Sequence, residues 1–329
     1  MKTVAVLGAG TAGTALAQVV AGNGHSVRLW GIEATVLREI RQRRTNSRYL
    51  LGISLHEGIE VCGELAQALA GAEIVIMSVP AQAVRTVARS AAPHLRDGPV
   101  VLNVAKGLEE GTQLRMSQVL TQELGAGAAA RIASMGGPAL AKEFVRGVTT
   151  AVVVASELPG AAAAVQKALQ NEYFKVEASR DVVGVELGAS FKNPYAIALG
   201  MCDGLGYGAN TKAFIATLAL AEMEALITAL EGQLRTVYGL AGLGDLLTTG
   251  YSPLSRNRTL GEKLGAGADW REFLRTHTVE GVVACQAGRE LAARAGVRAA
   301  LREIVWESLF GEKRPGEALH RFLREFAYR

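Results

Sequence analysis

A glycine-rich segment that follows a short apolar run near the start of the chain constrains the fold more than any other feature. The apolar residues are Val4–Leu7, and the next six read Gly8–Ala9–Gly10–Thr11–Ala12–Gly13. A short continuous apolar run is typical of a strand buried on both faces of a parallel sheet. A helix-compatible stretch follows, from Thr14 to Ala21, and stops at Gly22–Asn23–Gly24. The sequence therefore predicts a strand, a glycine turn and a helix in that order.

The spacing of the three glycines indicates a dinucleotide-binding turn. Gly8 permits a tight turn, Gly10 lets the backbone approach a pyrophosphate, and Gly13 lets helix and strand pack closely. The start of the helix offers backbone N–H groups and a positive dipole to the phosphates. A glycine-rich turn without a ligand is the alternative, but the placement between a predicted strand and a predicted helix favours the dinucleotide.

The choice between NAD and NADP depends on residues further along. An acidic side chain about 20 positions beyond the glycines would bind the ribose 2′-hydroxyl and favour NAD. Glu33 lies at that distance, although Gly31 and Ile32 separate it from the expected end of the second strand at Trp30. No obvious arginine follows Trp30 to hold a 2′-phosphate. The residues favour NAD and leave NADP open.

Short apolar runs alternate with Ala-rich helical segments as far as about residue 180. This alternation predicts an α/β fold, with a Rossmann-type doubly wound sheet over residues 1–180. Beyond it the apolar residues follow helical spacing, which predicts an all-helical domain over residues 181–329 whose last helix starts at Pro315. Besides Val4–Leu7, the expected strands are Val27–Trp30, Ile59–Val61, Ile74–Val79, Val100–Val104, Ile132–Met135 and Ala151–Val154.

Composition excludes several classes of protein. Hydrophobic residues make up 49% of the chain and charged residues 20%, as in ordinary soluble proteins. The net charge of +4 fits either an anionic ligand or an Arg-rich surface. The small aromatic fraction and the lack of a long basic cluster argue against a nucleic-acid partner. No apolar run reaches the ~18 residues that span a bilayer. The scattered Cys62, Cys202 and Cys285 fit a reducing, cytoplasmic setting and predict no metal site.

Two lysines are candidates for chemistry. Lys106 comes just after an expected strand, at the edge of the sheet where ligands bind, and could polarise a carbonyl or hold a phosphate. Lys192 lies in a small, apolar helical stretch, where burial would disfavour its charge and allow proton exchange near neutral pH. The alternatives are an ordinary loop lysine at Lys106 and a lysine that extends from a packed helix to solvent at Lys192.

Four further segments could face an anion or a lysine. Gly136–Glu143 places glycines before a proline at a helix start, and Gly204–Lys212 is a glycine-rich loop that ends in an Asn210–Thr211 helix cap. In Gly239–Thr249, Asp245 could turn inward toward a lysine. Ser255–Arg258 offers the planar fork of arginine to a phosphate. An ordinary turn or helix start is the alternative for each segment alone.

Taken together and in order, these segments resemble the bacterial type of NAD(P)-dependent glycerol-3-phosphate dehydrogenase, over most of the chain. The matching motifs are GAGTAGTALA at 8–17, AKGLE at 105–109, GPALAKE at 137–143, LGASFKN at 187–193, DGLGYGAN at 203–210, GLAGLGDL at 239–246, SRNR at 255–258 and VEG at 279–281. Each motif alone is weak, but the ordered set is highly specific.

The resemblance implies reversible reduction of dihydroxyacetone phosphate to sn-glycerol 3-phosphate, which feeds glycerophospholipid synthesis, by a cytoplasmic homodimer. It implies that Lys192 is the general acid/base and that Lys106 and Asp245 are further catalytic groups. The implied substrate-binding residues are Lys106, Gly137, Ala139, Lys192, Asn193, Asp245, Thr249, Ser255, Arg256 and Asn257. The implied cofactor-binding residues are Gly8, Gly10, Thr11, Ala12, Gly13, Glu33, Lys106, Ala141, Arg256, Thr278 and Glu280.

The chain departs from the family pattern at three places. Gly136–Ala139 replaces a usual Ser-Gly-Pro-Thr or Ser-Gly-Pro-Ser, so a hydroxyl is lost at Ala139. Ile32 stands where a polar or basic residue is frequent, and Ala12 where an aromatic residue is frequent. These departures bear on the substrate contact and on the choice between NAD and NADP.

Two other functions compete with this one. A related two-domain dehydrogenase could act on another phosphorylated or carboxylated carbonyl compound, but Arg256 and Asn257 argue for a phosphorylated substrate. A dinucleotide-binding sensor without catalysis would lack a proton donor, whereas Lys106, Lys192 and Asp245 are all present.

Overall fold

The computed structural model describes residues 1–95, 98–311 and 314–326. Contacts within the chain divide it into two units, one made of residues 1–109 and 114–185 and the other of residues 110–113 and 186 onward. The domain boundary that we expect from the sequence, after residue 180, lies close to the change at residue 185.

The first unit is built on one sheet. Its strands are β1 (Thr3–Leu7), β2 (Ser26–Trp30), β3 (Ile59–Cys62), β4 (Ile74–Met77), β5 (Val100–Asn103), β6 (Ile132–Gly136), β7 (Thr150–Ala155) and β8 (Phe174–Ser179). In the described part of this unit they lie in the order β3-β2-β1-β4-β5-β6-β7-β8. Neighbours are parallel except β6 and β7, which are antiparallel. The expected Rossmann-type sheet is confirmed.

Helices cover both faces of this sheet. They are α1 (Thr11–Gly22), α2 (Ala34–Arg43), α3 (Leu65–Leu69), α4 (Val84–Ala91), α5 (Met116–Leu124), α6 (Ala141–Phe144) and α7 (Pro159–Leu169). In β1, Val4 and Val6 belong to the core cluster that contains α1 residues, while Ala5 and Leu7 belong to the cluster on the other face. Both faces of the strand are buried, which explains why its sequence is continuously apolar.

The strand β8 is missing from the sequence-based expectations. Phe174 and Val176 are buried there, whereas Lys175 and Glu177 between them are exposed. A strand at the edge of the sheet packs only one face, so its sequence alternates instead of forming an apolar run. A search for two-residue alternation would find this strand.

Helices joined by loops form the second unit, and its described residues contain no named strand, which confirms the expectation. Its helices are α8 (Val182–Gly204), which begins in the first unit, α9 (Ala209–Ala229), α10 (Leu234–Tyr238), α11 (Asp245–Tyr251), α12 (Arg256–Gly265), α13 (Trp270–Thr276), α14 (Glu280–Ala295), α15 (Ala300–Phe310) and α16 (Pro315–Glu325). The last helix starts at Pro315 as expected, and Leu319 on its apolar face is buried.

Glycines bring α8 and α12 into backbone contact. A Cβ atom added to any of four glycines would lie 2.0–2.4 Å from a carbonyl oxygen of the opposite helix. The contacts join Gly200 to Arg258, Gly204 to Glu262, Gly261 to Ile197 and Gly265 to Met201. The contact of Gly200 with Arg258 is repeated four residues later on both helices, as Gly204 with Glu262. The two helices therefore run in the same direction. A side chain at any of these positions would push the helices apart.

Candidate active site

The glycine turn after β1 has the geometry that a dinucleotide requires. Gly8 has a φ of +120°, and a Cβ atom there would lie 2.3 Å from the Ser78 carbonyl oxygen. A Cβ atom on Gly13 would lie 1.9 Å from the carbonyl oxygen of Gly8. By contrast, a Cβ atom on Gly10 would meet nothing within 4 Å. Two of the glycines therefore serve backbone packing, while Gly10 leaves open space beside the turn.

The first turn of α1 has the features of an anion-binding helix N-terminus. Gly10 is its N-cap residue, so no side chain caps the helix, and the first turn contains no acidic residue. The backbone N–H groups of Thr11, Ala12 and Gly13 lie at this end, where an α-helix has no internal acceptors for them. These features fit the pyrophosphate of a dinucleotide.

Glu33 lies beyond β2, as expected, but its carboxylate is already engaged. It is the N-cap residue of α2, and its side chain accepts hydrogen bonds from Arg48 and Tyr49. The bond to Glu33 raises the pKa of the Tyr49 phenol, because the carboxylate stabilises the protonated form. Ile32 beside it is 86% exposed. No obvious arginine follows Trp30 in the sequence, but the fold brings Arg48, from further along the chain, into contact with Glu33.

Two loops at the same edge of the sheet bring Lys106 and Gly137 together. Lys106 follows β5 and donates a hydrogen bond from Nζ to the Gly137 carbonyl oxygen, at 3.0 Å. The Asn103 side chain closes the turn before it through bonds to the Ala105 N–H and carbonyl, both at 3.1 Å. Since β5 and β6 are parallel, the loops that follow them meet at one edge.

The loop after β6 does not begin a helix at Pro138, so that prediction was wrong. Gly137 has a φ of +116°, and Leu140 is still extended, so α6 starts only at Ala141 and has four residues. The chain must first turn away from β6, so α6 begins only after this turn. Ala139 and Ala141 pack against the core of the first unit.

In the second unit, Lys192 forms a buried cluster with Asp245 and Thr249. Lys192 is 4% exposed, and its Nζ donates to Asp245 Oδ1 at 2.5 Å and to Thr249 Oγ1 at 2.6 Å. The Thr249 hydroxyl donates in turn to Asp245 Oδ1 at 3.2 Å. The expected inward turn of Asp245 toward a lysine is confirmed. The alternative, a Lys192 side chain that extends to solvent, is wrong.

Local backbone structure explains why these groups meet. The glycine-rich segment Leu240–Gly244 forms a π-helical turn directly before α11. A Cβ atom on Gly188 of α8 would lie 2.8 Å from the Ala241 carbonyl oxygen, so α8 packs closely on this turn. Asp245 is the first residue of α11 and Thr249 follows four positions later, which places both on one face of the helix.

A second buried contact joins Asn193 and Asn257. Asn257 Nδ2 donates to Asn193 Oδ1 at 2.9 Å, and Asn257 Oδ1 accepts from the Gly281 N–H at 2.9 Å. One amide thus links α8, α12 and α14. Thr278, just before α14, is exposed, and Glu280 is the first residue of that helix.

The Ser255–Arg258 segment is more than an exposed helix start. Ser255 is the N-cap of α12, and its hydroxyl accepts a hydrogen bond from the Arg258 N–H at 3.2 Å. Arg256 is exposed, whereas Asn257 is buried. The first turn of α12 therefore presents one cation outward and one amide inward.

The prediction that Asn210 and Thr211 cap a helix was wrong. Both lie inside α9, whose N-cap is Gly208 with no side-chain bond. The extended backbone of Gly208 already ends the preceding loop, so the helix starts at Ala209. The Gly204–Lys212 segment instead brings Lys212 to Asp203, with Nζ 2.7 Å from Oδ1. No motif in the sequence pairs these two residues.

The described residues contain neither a metal-ligand cluster nor a membrane-spanning helix. In residues 1–95, 98–311 and 314–326, no three His, Cys, Asp or Glu side chains are grouped so as to hold a metal ion. In the same ranges, no helix combines the length and the apolar character that crossing a bilayer requires.

Family models match both halves of the chain. A model described as the NAD-dependent glycerol-3-phosphate dehydrogenase N-terminus matches residues 3–162, and the corresponding C-terminus model matches residues 181–320. The chain belongs to this family. The resemblance that the sequence motifs indicated is confirmed.

Relatives and solved structures agree with the family models. Glycerol-3-phosphate dehydrogenase (NAD(P)+) of Syntrophotalea carbinolica is 39% identical over 318 residues, covering 96% of each chain. The enzyme of the same name from an Anaeromyxobacter species is 42% identical over 316 residues, covering 95% of each chain. The crystal structure of glycerol-3-phosphate dehydrogenase from Coxiella burnetii superposes with a TM-score of 0.91 at 32% identity, covering 98% of this chain and 99% of that one.

The implied site residues fall into two groups, one in each unit. The first unit carries Gly8, Gly10, Thr11, Ala12, Gly13, Glu33, Lys106, Gly137, Ala139 and Ala141. The second unit carries Lys192, Asn193, Asp245, Thr249, Ser255, Arg256, Asn257, Thr278 and Glu280. The first group includes the glycine turn after β1, and the second includes the buried Lys192.

Proposed function

We propose that this chain catalyses the reversible, NAD(P)-dependent reduction of dihydroxyacetone phosphate to sn-glycerol 3-phosphate. Family membership supports the reaction class. The observation that carries the proposal is the buried Lys192 ammonium, held by Asp245 and Thr249. A proton donor fixed in this way is what the reduction of a ketone requires.

Lys192 would act as the general acid. When bound, the nicotinamide would supply the hydride, and negative charge would develop on the carbonyl oxygen of the substrate. A donor within ~3 Å of that oxygen can protonate it in the transition state. Asp245 and Thr249 fix the direction of the ammonium group, and the Asp245 carboxylate stabilises its charged form. In the reverse direction the neutral amine accepts the proton, and Asp245 stabilises the cation that results.

Arg256 would bind the substrate phosphate. Its guanidinium is exposed at the first turn of α12, and the planar fork of arginine matches a phosphate group. Anchoring a remote phosphate orients the carbonyl for reaction, so binding energy contributes to the rate. Asn193 lies next to Lys192 along α8, and we assign it a contact with the substrate.

The first unit would hold the cofactor. The open space at Gly10 and the uncapped start of α1 fit the pyrophosphate. Lys106 follows β5 at the edge of the sheet where ligands bind, and we assign it a contact with substrate and nicotinamide. Glu33 favours NAD over NADP, because its negative charge would repel a 2′-phosphate. Arg48 beside it is a cation that could contact the ribose of either cofactor.

Assembly and cellular role are further proposals. The family resemblance supports a cytoplasmic homodimer that supplies sn-glycerol 3-phosphate for glycerophospholipids. Light scattering during size-exclusion chromatography tests the dimer, and a mass corresponding to one chain would contradict it.

The experiment that tests the reaction is oxidation of NADH, and separately of NADPH, by the purified protein. We expect oxidation with dihydroxyacetone phosphate and none with 2-oxo acids. Oxidation with a 2-oxo acid alone would favour the related-dehydrogenase alternative. Binding of the dinucleotide without oxidation of either form would favour a sensor.

A further inference from the structure

A second charged cluster lies in the second unit, outside the residues that carry the reaction. The Asp203 carboxylate lies between two cations, with Oδ1 2.7 Å from Lys212 Nζ and Oδ2 2.7 Å from Arg258 Nη2. All three side chains are largely buried, with exposed fractions of 18%, 12% and 17%. Burial strengthens such ion pairs and makes the loss of one member costly.

The cluster connects the helices that carry the proposed site. Asp203 is in the last turn of α8, Lys212 in the first turn of α9, and Arg258 in the first turn of α12. Lys212 Nζ also lies 4.5 Å from the ring centroid of Tyr251, the last residue of α11. Three of these helices, α8, α11 and α12, carry Lys192, Asp245 and Arg256 respectively.

The position of α8 against α12 depends on more than one kind of contact. Where their glycines meet the opposite backbone, the helices approach so closely that an added Cβ atom would clash with a carbonyl oxygen. Polar contacts between side chains also connect the two helices. In the described residues they include the Asn193–Asn257 hydrogen bond and, further along α8, the Asp203–Arg258 ion pair, in which Oδ2 and Nη2 are 2.7 Å apart without the geometry of a hydrogen bond.

We propose that Asp203 is a positioning residue for the phosphate subsite. By holding Arg258 and Lys212, it fixes the first turn of α12, from which Arg256 extends. Arg258 lies two positions after Arg256, and its N–H closes the Ser255 cap of the same turn. Displacement of Arg258 therefore displaces Arg256. The inference rests on the proposed function, because it assumes that Arg256 binds the substrate phosphate.

Positioning and simple electrostatics predict opposite results when Asp203 is neutralised. Removal of a negative charge makes the surroundings of α12 more positive, which by itself would strengthen phosphate binding. Loss of the positioning contact would weaken it. The sign of the change in affinity therefore distinguishes the two effects.

The test compares wild type with Asp203→Asn. We expect the KM for dihydroxyacetone phosphate to rise about 2- to 30-fold, the usual range for coupling through a shared network. Glu262→Gln is the matched control, since Glu262 also pairs with Arg258, at 3.2 Å, but from a side chain that is 49% exposed. Its KM should change by less than about twofold. A KM that falls or stays constant in Asp203→Asn would overturn the inference.

Two further variants separate positioning from general destabilisation. In an Arg256→Ala background, Asp203→Asn should cause no additional rise in KM, because its effect passes through Arg256. An undiminished rise there would overturn the inference. Should Asp203→Asn fail to fold, Arg258→Lys keeps the charge but loses the planar fork, and it should raise the KM as well. An unchanged KM in Arg258→Lys would count against the proposal.

Failure of the proposed function can be told apart from failure of this inference. Absence of wild-type turnover with dihydroxyacetone phosphate would contradict the function. Affinity for inorganic phosphate, measured by calorimetry on the same variants, would then test the subsite alone. Weaker phosphate binding in Asp203→Asn than in Glu262→Gln supports the positioning role. Equal or tighter binding contradicts it.

Discussion

Asn257 donates a hydrogen bond from its side-chain amide to the side-chain oxygen of Asn193, at 2.9 Å, and so joins the helix of Lys192 to the helix of Arg256. The oxygen of the same Asn257 amide accepts a hydrogen bond from the Gly281 N–H. This bond turns the oxygen of Asn193 toward α12 and fixes the orientation of its amide. A buried hydrogen bond between two side-chain amides therefore connects the two helices next to the proposed site.

Asn257→Ala should destabilise the second unit. The substitution leaves the Asn193 oxygen and the Gly281 N–H buried without this partner, at a cost of about 1–3 kcal/mol each. Denaturant unfolding followed by far-UV circular dichroism measures the change. Asn210→Ala is the control, because Asn210 is exposed on α9. Equal stability of the two variants would contradict the bridging role of Asn257.

Arg256→Ala should mainly weaken substrate binding. Loss of a charge-assisted bond to a phosphate costs about 1.5–3 kcal/mol, which corresponds to roughly a 10- to 150-fold rise in KM. Steady-state kinetics with dihydroxyacetone phosphate measures it. Arg275→Ala serves as the control, since Arg275 is 70% exposed and pairs only at the surface with Glu272. An unchanged KM in Arg256→Ala would place the phosphate elsewhere.

Glu33→Gln should shift the enzyme toward NADPH. Neutralising Glu33 removes the repulsion of a 2′-phosphate and releases Arg48, which it now holds. For a half-exposed pair we expect the ratio of kcat/KM for NADPH over NADH to rise about twofold to fivefold. The exposed Glu57→Gln provides the comparison with equal charge. A ratio that moves equally in both variants would mean that Glu33 does not contact the ribose.

Gly261→Ala should destabilise the contact between α8 and α12. Its Cβ atom would lie 2.0 Å from the Ile197 carbonyl oxygen, and overpacking of this kind costs about 1–3 kcal/mol. Gly160→Ala in α7 is the comparison, because a Cβ atom there meets nothing within 4 Å. Thermal unfolding should show a lower Tm for Gly261→Ala only. Unchanged Tm in both variants would contradict the close approach of the helices.

The sheet could be predicted because burial on both faces leaves a simple trace in the sequence. β1 is apolar at every position from Val4 to Leu7, and the glycine turn follows at once. β8 leaves a different trace, since only Phe174 and Val176 of its first four residues are buried. A reading based on apolar runs detects the first kind of strand and misses the second.

Site residues could be predicted from the sequence only where the neighbouring residues along the chain indicate a chemical role. Asp245 after three glycines, and Lys192 in an apolar helix, each suggested a role, and the fold brings them together. Glu33 and Arg48, or Asp203 and Arg258, are partners only through tertiary packing. Their separation along the chain follows no helical or strand spacing, so no local pattern could pair them.

The most direct test of the account is a single-turnover reaction of wild type and Lys192→Met with NADH and dihydroxyacetone phosphate. We predict that wild type oxidises the bound NADH, and that Lys192→Met binds NADH with unchanged affinity but oxidises it at least about 100-fold more slowly, the range for loss of a general acid. Lys175→Met, at an exposed lysine of β8, should behave as wild type. Turnover of Lys192→Met within tenfold of the wild-type rate would contradict the role of Lys192 as proton donor.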